Sequence, residues 1–369
     1  MIKRASLALS LVPVLALSAC SSSPQGTPDP AVTGICPPTA STATLPGATG
    51  TGAAGGITEV TSFGDNPGAL QMFVHAPASG KATSVVVAMH GCTQSASDYV
   101  GAGWNELGDK ADFVVVYPQQ TSANNFQKCF RWYDKAQISR GAGEARSIAA
   151  MAEYAKKQYG ATHAYVTGLS AGAAMTSVML ATYSDLFEAG AIMSGLPYAC
   201  ATSQNDAYAC MNPGKDQTAA AWAALVPASA KATAPRVSVW HGDTDYTVRP
   251  MNETQIARQF AGVAGAPSEP STTTMEEGAT HAEYKNAAGV VQVETWLVKG
   301  MSHGVALAPK AGCGTAGAYM LDEGVCSTTK AAQFFGLLAA DGTPTTPPGT
   351  PSPPGTPSSS GGAKGGCNP

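Results

Sequence analysis

Between residues 57 and 340 of this 369-residue chain, short apolar runs alternate with segments in which apolar residues recur at helical spacing. Such runs predict buried strands, and the spaced segments predict amphipathic helices. The predicted strands are ITEVTSF, LQMFVHAP, SVVVAMHG, DFVVVYPQQ, HAYVTG, AGAIMSG and RVSVWHGD, followed by AEYKN and VVQVETWLVKG as a hairpin or paired late strands. The predicted helices are GEARSIAAMAEYAKKQYG, SAGAAMTSVMLATY, DQTAAAWAAL, NETQIARQFAGV with Asn252 as a possible N-cap, and STTKAAQFFGLLAA. This alternation predicts an α/β fold, a mostly parallel sheet with helices on both faces.

The pentapeptide Gly168-Leu169-Ser170-Ala171-Gly172 lies where a predicted strand gives way to a predicted helix. A serine on a tight strand-to-helix turn projects its hydroxyl out of the sheet, and the glycines leave room for the backbone. This context predicts a nucleophile elbow. Ser170 is then the candidate nucleophile, and the N–H of Ala171 is one candidate donor to an oxyanion.

Two aspartates follow the predicted strand RVSVWHG, in the sequence HGDTDYTV. Asp245 lies past the strand end, where a carboxylate can hold an imidazole in the required tautomer and stabilise its charged form. Asp243 is the alternative, and its position favours closing the turn through the backbone. His241 ends the strand and is predicted to be a packed histidine.

A nucleophilic serine needs a base from a loop late in the chain. His303 follows the predicted strand VETWLVKG within GMSHG, whereas the rival His281 has neighbours that predict strand entry. His75 and His163 have no such context and are predicted to be structural. The resulting order of Ser, Asp and His is that of α/β-hydrolases, so the sequence predicts a serine esterase.

A second oxyanion donor is expected from a loop after an early strand. The run SVVVAMHGCTQ supplies such a loop, and we assign the N–H of Cys92 as the donor. The alternative is an ordinary strand-end turn with no catalytic role.

Residues 1–20 have the features of an export signal. Lys3 and Arg4 precede an apolar stretch that is too short for a transmembrane helix. The stretch ends in Leu-Ser-Ala-Cys, which resembles a bacterial lipobox and predicts a lipid-modified Cys20 as the mature N-terminus. The alternative is ordinary signal-peptidase cleavage nearby, with loss of Cys20.

Composition divides the rest of the chain into a tether (21–55), a catalytic domain (56–340) and a tail (341–369). The tether and the tail are rich in Ser, Thr, Pro and Gly and cannot bury much apolar surface. The formal net charge of −4 argues against nucleic-acid binding. We expect no metal, no organic cofactor and no obligate protein partner. Membrane contact is expected only through a lipid anchor, in a protein that is secreted or bound to the bacterial cell envelope.

Nine cysteines in an exported chain favour disulfides over metal sites. Spacing alone does not fix the connectivity. Two pairs of cysteines each bracket a short loop and are expected to pair locally. Two further cysteines would then form a long-range pair. One cysteine remains in the tether and one in the tail, and these two are free or pair between molecules. The candidates are Cys200 with Cys210, Cys313 with Cys326, and Cys92 with Cys129, leaving Cys36 and Cys367.

With these residues in place, the chain resembles the polyhydroxybutyrate depolymerase-like esterases, a branch of the α/β-hydrolases that also includes feruloyl and acetylxylan esterases. The matching stretches are HGCTQSASDY, GWNELGDKADFVVVYPQQ, CFRWYD, RGAGEARSI, VTGLSAGAAMTSVMLATY, AGAIMSGLPY, VSVWHGDTDYTV and GMSHG. They span most of residues 85–304.

The resemblance implies a triad and an oxyanion hole made of Ser170, Asp245, His303, Cys92 and Ala171. It also implies that Cys92 pairs with Cys129. Trp132 would then lie near the acyl- or polymer-binding cleft, and the alternative for it is a core aromatic.

The function implied is hydrolysis of 3-hydroxyalkanoate esters by an exported serine esterase through an acyl-enzyme. The alternatives are a feruloyl or acetylxylan esterase and a non-catalytic surface-binding lipoprotein. Extracellular depolymerases of this kind usually carry a substrate-binding domain after the linker, whereas here the linker-like tail ends at Pro369. We therefore expect soluble or amorphous esters to be preferred over crystalline polymer.

Overall fold

The computed structural model describes residues 56–345. The predicted signal peptide, the tether and most of the tail lie outside the described residues, and so do Cys20, Cys36 and Cys367. The expectations made for them stay predictions.

Twelve strands are formed within the described part of the chain. They are β1 Thr58–Val60, β2 Gln71–His75, β3 Ser84–Met89, β4 Phe113–Gln119, β5 His163–Leu169, β6 Ala189–Met193, β7 Arg236–Gly242, β8 Thr272–Glu276, β9 Ala279–Lys285, β10 Val291–Val298, β11 Val305–Leu307 and β12 Met320–Asp322.

The helices lie between these strands and after the last of them. They are α1 Ala96–Tyr99, α2 Trp104–Ala111, α3 Lys135–Ile138, α4 Gly143–Tyr159, α5 Ala171–Thr182, α6 Gln204–Met211, α7 Ala219–Leu225, α8 Ala228–Thr233, α9 Met251–Ala264 and α10 Ser327–Phe335. Short 3-10 helices cover Val100–Ala102 and Pro309–Ala311. No helix within residues 56–345 combines the length and the apolar character needed to cross a bilayer.

Ten strands form one sheet in the order β1-β2-β4-β3-β5-β6-β7-β10-β9-β8, and β11 pairs with β12 separately. The six strands from β4 to β10 in this order run parallel, and antiparallel strands extend both edges. Every residue of β3 and β6 is buried, as expected for parallel strands covered on both faces. The predicted mostly parallel sheet is confirmed.

Side chains of a strand alternate between its two faces, so each central strand contributes to two cores. In β3, Val85 and Val87 pack in the core that contains α4, α5 and α9, whereas Val86 and Ala88 pack with α2 and α10. Helices therefore cover both faces, and the carboxyl ends of the parallel strands meet at one edge.

The predicted late strands form an antiparallel hairpin, β9 with β10, and the predicted C-cap of α4 at Gly160 is present with a left-handed φ of 76°. The predicted N-cap at Asn252 is wrong. Helix α9 begins at Met251 after Pro250, so Asn252 lies within the first turn. Its amide nitrogen donates to the carbonyl groups of Cys210 and Arg249, at 3.2 and 3.1 Å, instead of capping the helix.

A cluster of ionisable side chains on β8, β9 and β10 is centred on His281. Its imidazole stacks on the Trp296 ring at 3.9 Å between centroids, and its two nitrogens each lie 3.2 Å from a carboxylate, of Glu276 and of Glu294. Burial alone would lower the pKa of His281, but Glu294 and Glu276 outweigh it and raise the pKa above its ordinary value. Protonated His281 therefore ties the three strands together.

We predict that His281→Gln lowers thermal stability mainly at acidic pH. A histidine whose pKa is raised by folding contributes stability that is complete below the unfolded pKa of about 6.5 and is lost as pH rises through the folded value. In calorimetry, the difference in Tm between wild type and variant should be largest near about pH 6 and shrink at alkaline pH. His163→Gln, whose partner Glu188 is half exposed, is the control. A difference that is the same at every pH would contradict this account.

Candidate functional site

The turn from β5 to α5 holds Ser170 in a strained conformation. Its φ of 57° and ψ of −115° are rare for a residue with a side chain. The glycines on either side are required by close contacts: a Cβ on Gly168 would lie 2.5 Å from Gly172, and a Cβ on Gly172 would lie 2.4 Å from the carbonyl oxygen of Met89. The sequence G-L-S-A-G therefore folds as a sharp elbow, and the N-terminus of α5 lies directly after the serine.

The turn after β7 buries Asp245 completely. Its Oδ1 accepts hydrogen bonds from the backbone N–H groups of Thr247 and Val248, both at 2.9 Å. Asp243 contacts a backbone group of another loop: its Oδ1 accepts a hydrogen bond from the backbone N–H of Gly300 at 2.6 Å. Asp243 thus ties the loop after β7 to the loop after β10.

His303 follows β10, which lies next to β7 in the sheet. Its Nδ1 donates to Oδ2 of Asp245 at 2.7 Å. Burial alone would raise the pKa of Asp245, but hydrogen bonds from His241 and His303 outweigh it and hold the pKa well below its ordinary value. Asp245 is therefore ionised at neutral pH and fixes the tautomer of His303 with Nε2 free to act as a base.

The loop after β3 is held by its own side chains. The buried imidazole of His90 lies 2.7 Å from the carbonyl oxygen of Gly91 and 3.1 Å from the backbone N–H of Gln120. Burial lowers the pKa of His90 to about 4, so the ring is neutral, donates to Gly91 through Nδ1 and accepts from Gln120 through Nε2. Gln94 adds a bond from the N–H of Gly91 to its Oε1, at 2.9 Å.

A disulfide joins Cys92 of this loop to Cys129, 37 residues later. Disulfides also join Cys200 to Cys210 and Cys313 to Cys326. These are the pairings that the sequence suggested.

Ser170 and His303 line one cavity of about 200 Å³. The complete lining is Gly91, Cys92, Thr93, Gln94, Leu169, Ser170, Met211, Thr247, His303 and Tyr319. The hydrogen bonds of residues 56–345 do not include one between Ser170 and His303, although both side chains line the same cavity. Ala171 is the first residue of α5, and N–H groups at that position have no partner inside a helix. The candidate nucleophile, base and acid and two candidate oxyanion donors are thus grouped at the carboxyl edge of the sheet.

The other histidines and the larger cleft considered below do not bring a serine, a histidine and a buried aspartate together. A larger cleft of about 670 Å³ at the amino edge of the sheet has no histidine in its lining. His75 and His163 pair with Asp109 and Glu188 at the surface, and His281 belongs to the cluster at β9. No group of three or more His, Cys, Asp and Glu side chains within residues 56–345 is arranged to hold a metal ion.

Trp132 is not brought to the cavity wall. Its side chain is 5% exposed and packs in the core beside Tyr133, with ring centroids 5.7 Å apart. This position agrees with the core alternative that the sequence left open, and the cavity lining does not include the ring.

Three residues of the cavity wall were missed by sequence reasoning. Met211 ends α6, Thr247 lies two residues after Asp245, and Tyr319 lies in the loop closed by Cys313 and Cys326. Tyr319 has a φ of 63° and packs its ring edge-on to His303 at 6.2 Å. Only the bracketing cysteines signalled this loop, and nothing in the sequence marked which of its residues reaches the site.

Comparison with known proteins identifies the family. The family described as Esterase PHB depolymerase matches residues 69–285, more than half of the chain and a range that includes Ser170 and Asp245. The chain belongs to this family. It is a carboxylic ester hydrolase with the α/β-hydrolase fold, and the predicted resemblance is confirmed.

Individual relatives represent the three kinds of esterase to which the sequence pointed. Poly(3-hydroxyalkanoate) depolymerase C of Paucimonas lemoignei is 46% identical over 291 residues, covering 76% of this chain and 70% of that protein. Feruloyl esterase B of Talaromyces stipitatus is 34% identical over 226 residues, covering 58% and 62% respectively. The structure of an acetyl xylan esterase from Aspergillus awamori has a TM-score of 0.60 at 29% identity, covering 67% of this chain and 93% of that one.

We predict that Asp245→Asn lowers kcat by about three to four orders of magnitude, because an amide favours the wrong imidazole tautomer. Asp243→Asn is the matched control. Its amide oxygen can still accept from Gly300, so kcat should stay within about tenfold of wild type. Steady-state hydrolysis of a chromogenic short-chain ester measures both variants. The reverse ranking would transfer the role of acid to Asp243.

We predict that replacing Cys92 and Cys129 together by alanine lowers both stability and turnover. Loss of a crosslink closing a loop of this size costs roughly 3–4 kcal/mol on the chain-entropy model, and it also frees the loop after β3 that lines the cavity. The double variant Cys200→Ala with Cys210→Ala opens a much shorter loop, so it should lose less stability. Wild-type kcat in folded Cys92→Ala, Cys129→Ala protein would show that the crosslink does not support the site.

Proposed function

We propose that this protein is a serine esterase that hydrolyses 3-hydroxyalkanoate esters, with Ser170, His303 and Asp245 as its catalytic triad. The observation that carries the mechanism is the 2.7 Å bond from His303 to Asp245 beside the Ser170 elbow, with both Ser170 and His303 lining one cavity. The substrate class rests on the relative named as a poly(3-hydroxyalkanoate) depolymerase, at 46% identity.

In the first half of the reaction, Ser170 Oγ attacks the ester carbonyl carbon while its proton passes to Nε2 of His303. Asp245 stabilises the imidazolium that forms. The carbonyl oxygen becomes negatively charged, and the N–H groups of Cys92 and Ala171 donate hydrogen bonds to it. His303 then gives its proton to the leaving alcohol as the carbon–oxygen bond breaks, which leaves an acyl-enzyme on Ser170.

Water completes the reaction by the same route. His303 removes a proton from the water as its oxygen attacks the acyl carbon, and the tetrahedral intermediate collapses to release the acid and restore Ser170. Asp245 remains ionised throughout, since its hydrogen bonds keep its pKa far below neutral pH.

The lining of the cavity favours a substrate with a small acyl group that carries a polar substituent. Leu169, Met211 and Tyr319 offer apolar surface, and Gln94 and Thr247 offer polar groups. A cavity of about 200 Å³ holds one short acyl unit, with the rest of the ester outside. A feruloyl or acetylxylan esterase is the alternative, supported by the relatives named for those activities.

A panel of esters tests the substrate class. Purified protein is assayed on 3-hydroxybutyrate oligomers, short acyl esters, acetylated xylan oligosaccharides and feruloylated sugars. We expect the highest kcat/KM on the hydroxyacyl oligomers. A higher kcat/KM on acetylated or feruloylated sugars would replace this substrate by the alternative and leave the triad untouched.

We predict that Ser170→Ala abolishes hydrolysis of every ester in the panel, by several orders of magnitude, and leaves the fold intact. Ser170 lines the cavity, and removing its one oxygen opens no void in the packed core. Labelling with a fluorophosphonate probe should mark wild type and not the variant. If neither is labelled and neither hydrolyses esters, the protein is better explained as a binding lipoprotein with this fold.

We infer that the protein acts outside the cytoplasm. Three disulfides within the described residues support this, because such crosslinks persist in oxidising compartments. We further propose that Cys20 carries the lipid anchor suggested by the sequence. Cys20→Ser should then release the enzyme from the membrane fraction, and an intact mass with an unmodified N-terminus downstream of Cys20 would exclude the anchor. Stable attachment needs more than one acyl chain.

A further inference from the structure

A buried carboxylate lies behind the loop that carries the candidate oxyanion donor Cys92. Glu144, in the first turn of α4, is completely buried. Its Oε2 accepts a hydrogen bond from the backbone N–H of Arg131 at 2.8 Å. Its Oε1 accepts from Nε of Arg131 at 2.9 Å and from Nε2 of Gln120 at 2.7 Å. Glu144 therefore holds together the two ends of the segment from Gln120 to Arg131.

This segment, residues 120–131, is also the part of the chain that holds Cys92 from outside. Cys129 forms the disulfide with Cys92. The carbonyl of Gln127 accepts a hydrogen bond from the backbone N–H of Thr93. Because Cys92 and Thr93 line the cavity beside the candidate nucleophile, a shift of the segment would move the cavity wall.

Gln120 connects the segment to the first residue after β3 as well. Its backbone N–H donates to Nε2 of His90 at 3.1 Å, and its side-chain nitrogen lies 3.3 Å from the carbonyl oxygen of Cys129. Its side-chain oxygen accepts from the backbone N–H of Thr121 at 3.0 Å and from Nδ2 of Asn124 at 2.8 Å. The N–H of Thr121 can only donate, so the amide oxygen faces it and the amide nitrogen faces the carboxylate.

The partners of Glu144 suit an ionised carboxylate. Its hydrogen bonds all come from N–H donors, so a proton on the carboxyl would have no acceptor among them. Burial raises the pKa of Glu144, and the hydrogen bonds from Arg131 and Gln120 oppose that effect. Removing the charge without changing the size of the side chain therefore disturbs the bonds to both ends of the segment.

We propose that Glu144 is a positioning residue for the oxyanion hole. With Gln120 and Arg131 it forms a carboxylate clamp on the segment between them. The crosslink from Cys129 passes this restraint to the backbone N–H of Cys92. Glu144 is not part of the cavity lining, so it acts on the developing oxyanion only through Cys92. The inference rests on the proposed triad mechanism and on Cys92 as the oxyanion donor.

Kinetics of Glu144→Gln test the clamp. The substitution keeps the length of the side chain but turns an NH2 group toward the N–H donors of Gln120 or Arg131. We expect kcat to fall about 10- to 100-fold with little change in KM, because an oxyanion donor acts mainly in the transition state. A trifluoromethyl ketone forms an oxyanion adduct with the nucleophilic serine, so the affinity for this inhibitor should fall by a similar factor.

An exchange of the two side chains provides the rescue. In the double variant Gln120→Glu with Glu144→Gln, the new carboxylate accepts from the two donors that faced the Gln120 oxygen. The new amide donates to that carboxylate and accepts from Arg131, and only the 3.3 Å bond to the Cys129 carbonyl is lost. We expect the double variant to recover most of the kcat and most of the inhibitor affinity.

Asp185→Asn is the matched control. It removes a carboxylate from an exposed pair with Arg140, so both kcat and inhibitor affinity should stay at wild-type values. Wild-type kcat in folded Glu144→Gln protein would overturn the proposal. A fall in kcat without a fall in inhibitor affinity would overturn it too, because the loss would then not act at the oxyanion. A double variant no better than Glu144→Gln would also contradict the clamp.

Arg131→Met is the second variant if either of these does not fold. It removes the bond from Nε to Glu144 and leaves the backbone bond in place. We expect kcat and inhibitor affinity to fall together by about two- to fivefold, and no fall in either would overturn the proposal.

Failure of the triad is distinguishable from failure of the clamp. If Ser170→Ala and Asp245→Asn retain activity, the mechanism is wrong. If both are inactive and Glu144→Gln has normal kcat, only the clamp is wrong.

Discussion

The hydrogen bond from His303 to Asp245 depends on the order of strands in the sheet. The two residues are 58 positions apart in the chain, yet they follow β7 and β10, which are parallel neighbours. Parallel neighbours end at the same edge, so their following loops meet. The Asp243 side chain holds the two loops together by accepting a hydrogen bond from the backbone N–H of Gly300. Glycine is required at position 242, because a Cβ there would lie 2.1 Å from the carbonyl oxygen of Met301. The site therefore depends on close backbone contact between two loops as much as on the side chains that face the cavity.

The two aspartates at this carboxyl edge of the sheet have different hydrogen-bond partners. Both lie on one turn, but Oδ1 of Asp243 is occupied by a backbone donor from the neighbouring loop, while Oδ2 of Asp245 faces an imidazole. Oδ1 of Asp245 is meanwhile saturated by two backbone N–H groups. When one oxygen of a carboxylate is held by backbone N–H groups, the position of its second oxygen is fixed as well. That is what a residue needs if it is to set a histidine tautomer.

Sequence reasoning predicted the features that follow from periodicity and chain order. The parallel core, the elbow at Ser170 and the hairpin of β9 and β10 could be predicted, because buried strands and tight turns leave local signatures. Some short elements, such as α1, β11 and β12, were missed because their apolar residues show no period. Asn252 was misplaced because a capping residue type at the right spacing is common inside helices as well. The catalytic roles of the triad stay predictions, although the positions of its members are observed.

Contacts between distant parts of the chain were beyond prediction for a different reason. His241 was expected to be a packed histidine, and it is buried, but its contact with Asp245 depends on the curvature of the turn after β7. Tyr319 reaches the cavity from a loop that the sequence could only describe as bracketed by cysteines, and Met211 reaches it from the end of α6, directly after Cys210.

Disulfides support the loops that build the cavity wall. Cys92 is itself part of the wall, Met211 directly follows Cys210, and Tyr319 lies between Cys313 and Cys326. The cysteines anchor these loops to the two cores, since Cys200 and Cys210 are buried in one core and Cys313 is buried in the other. A crosslink restrains such a loop without adding core. Packing therefore fixes Ser170 and Asp245 after strand ends, and packing and covalent bonds together hold the loops of the cavity wall.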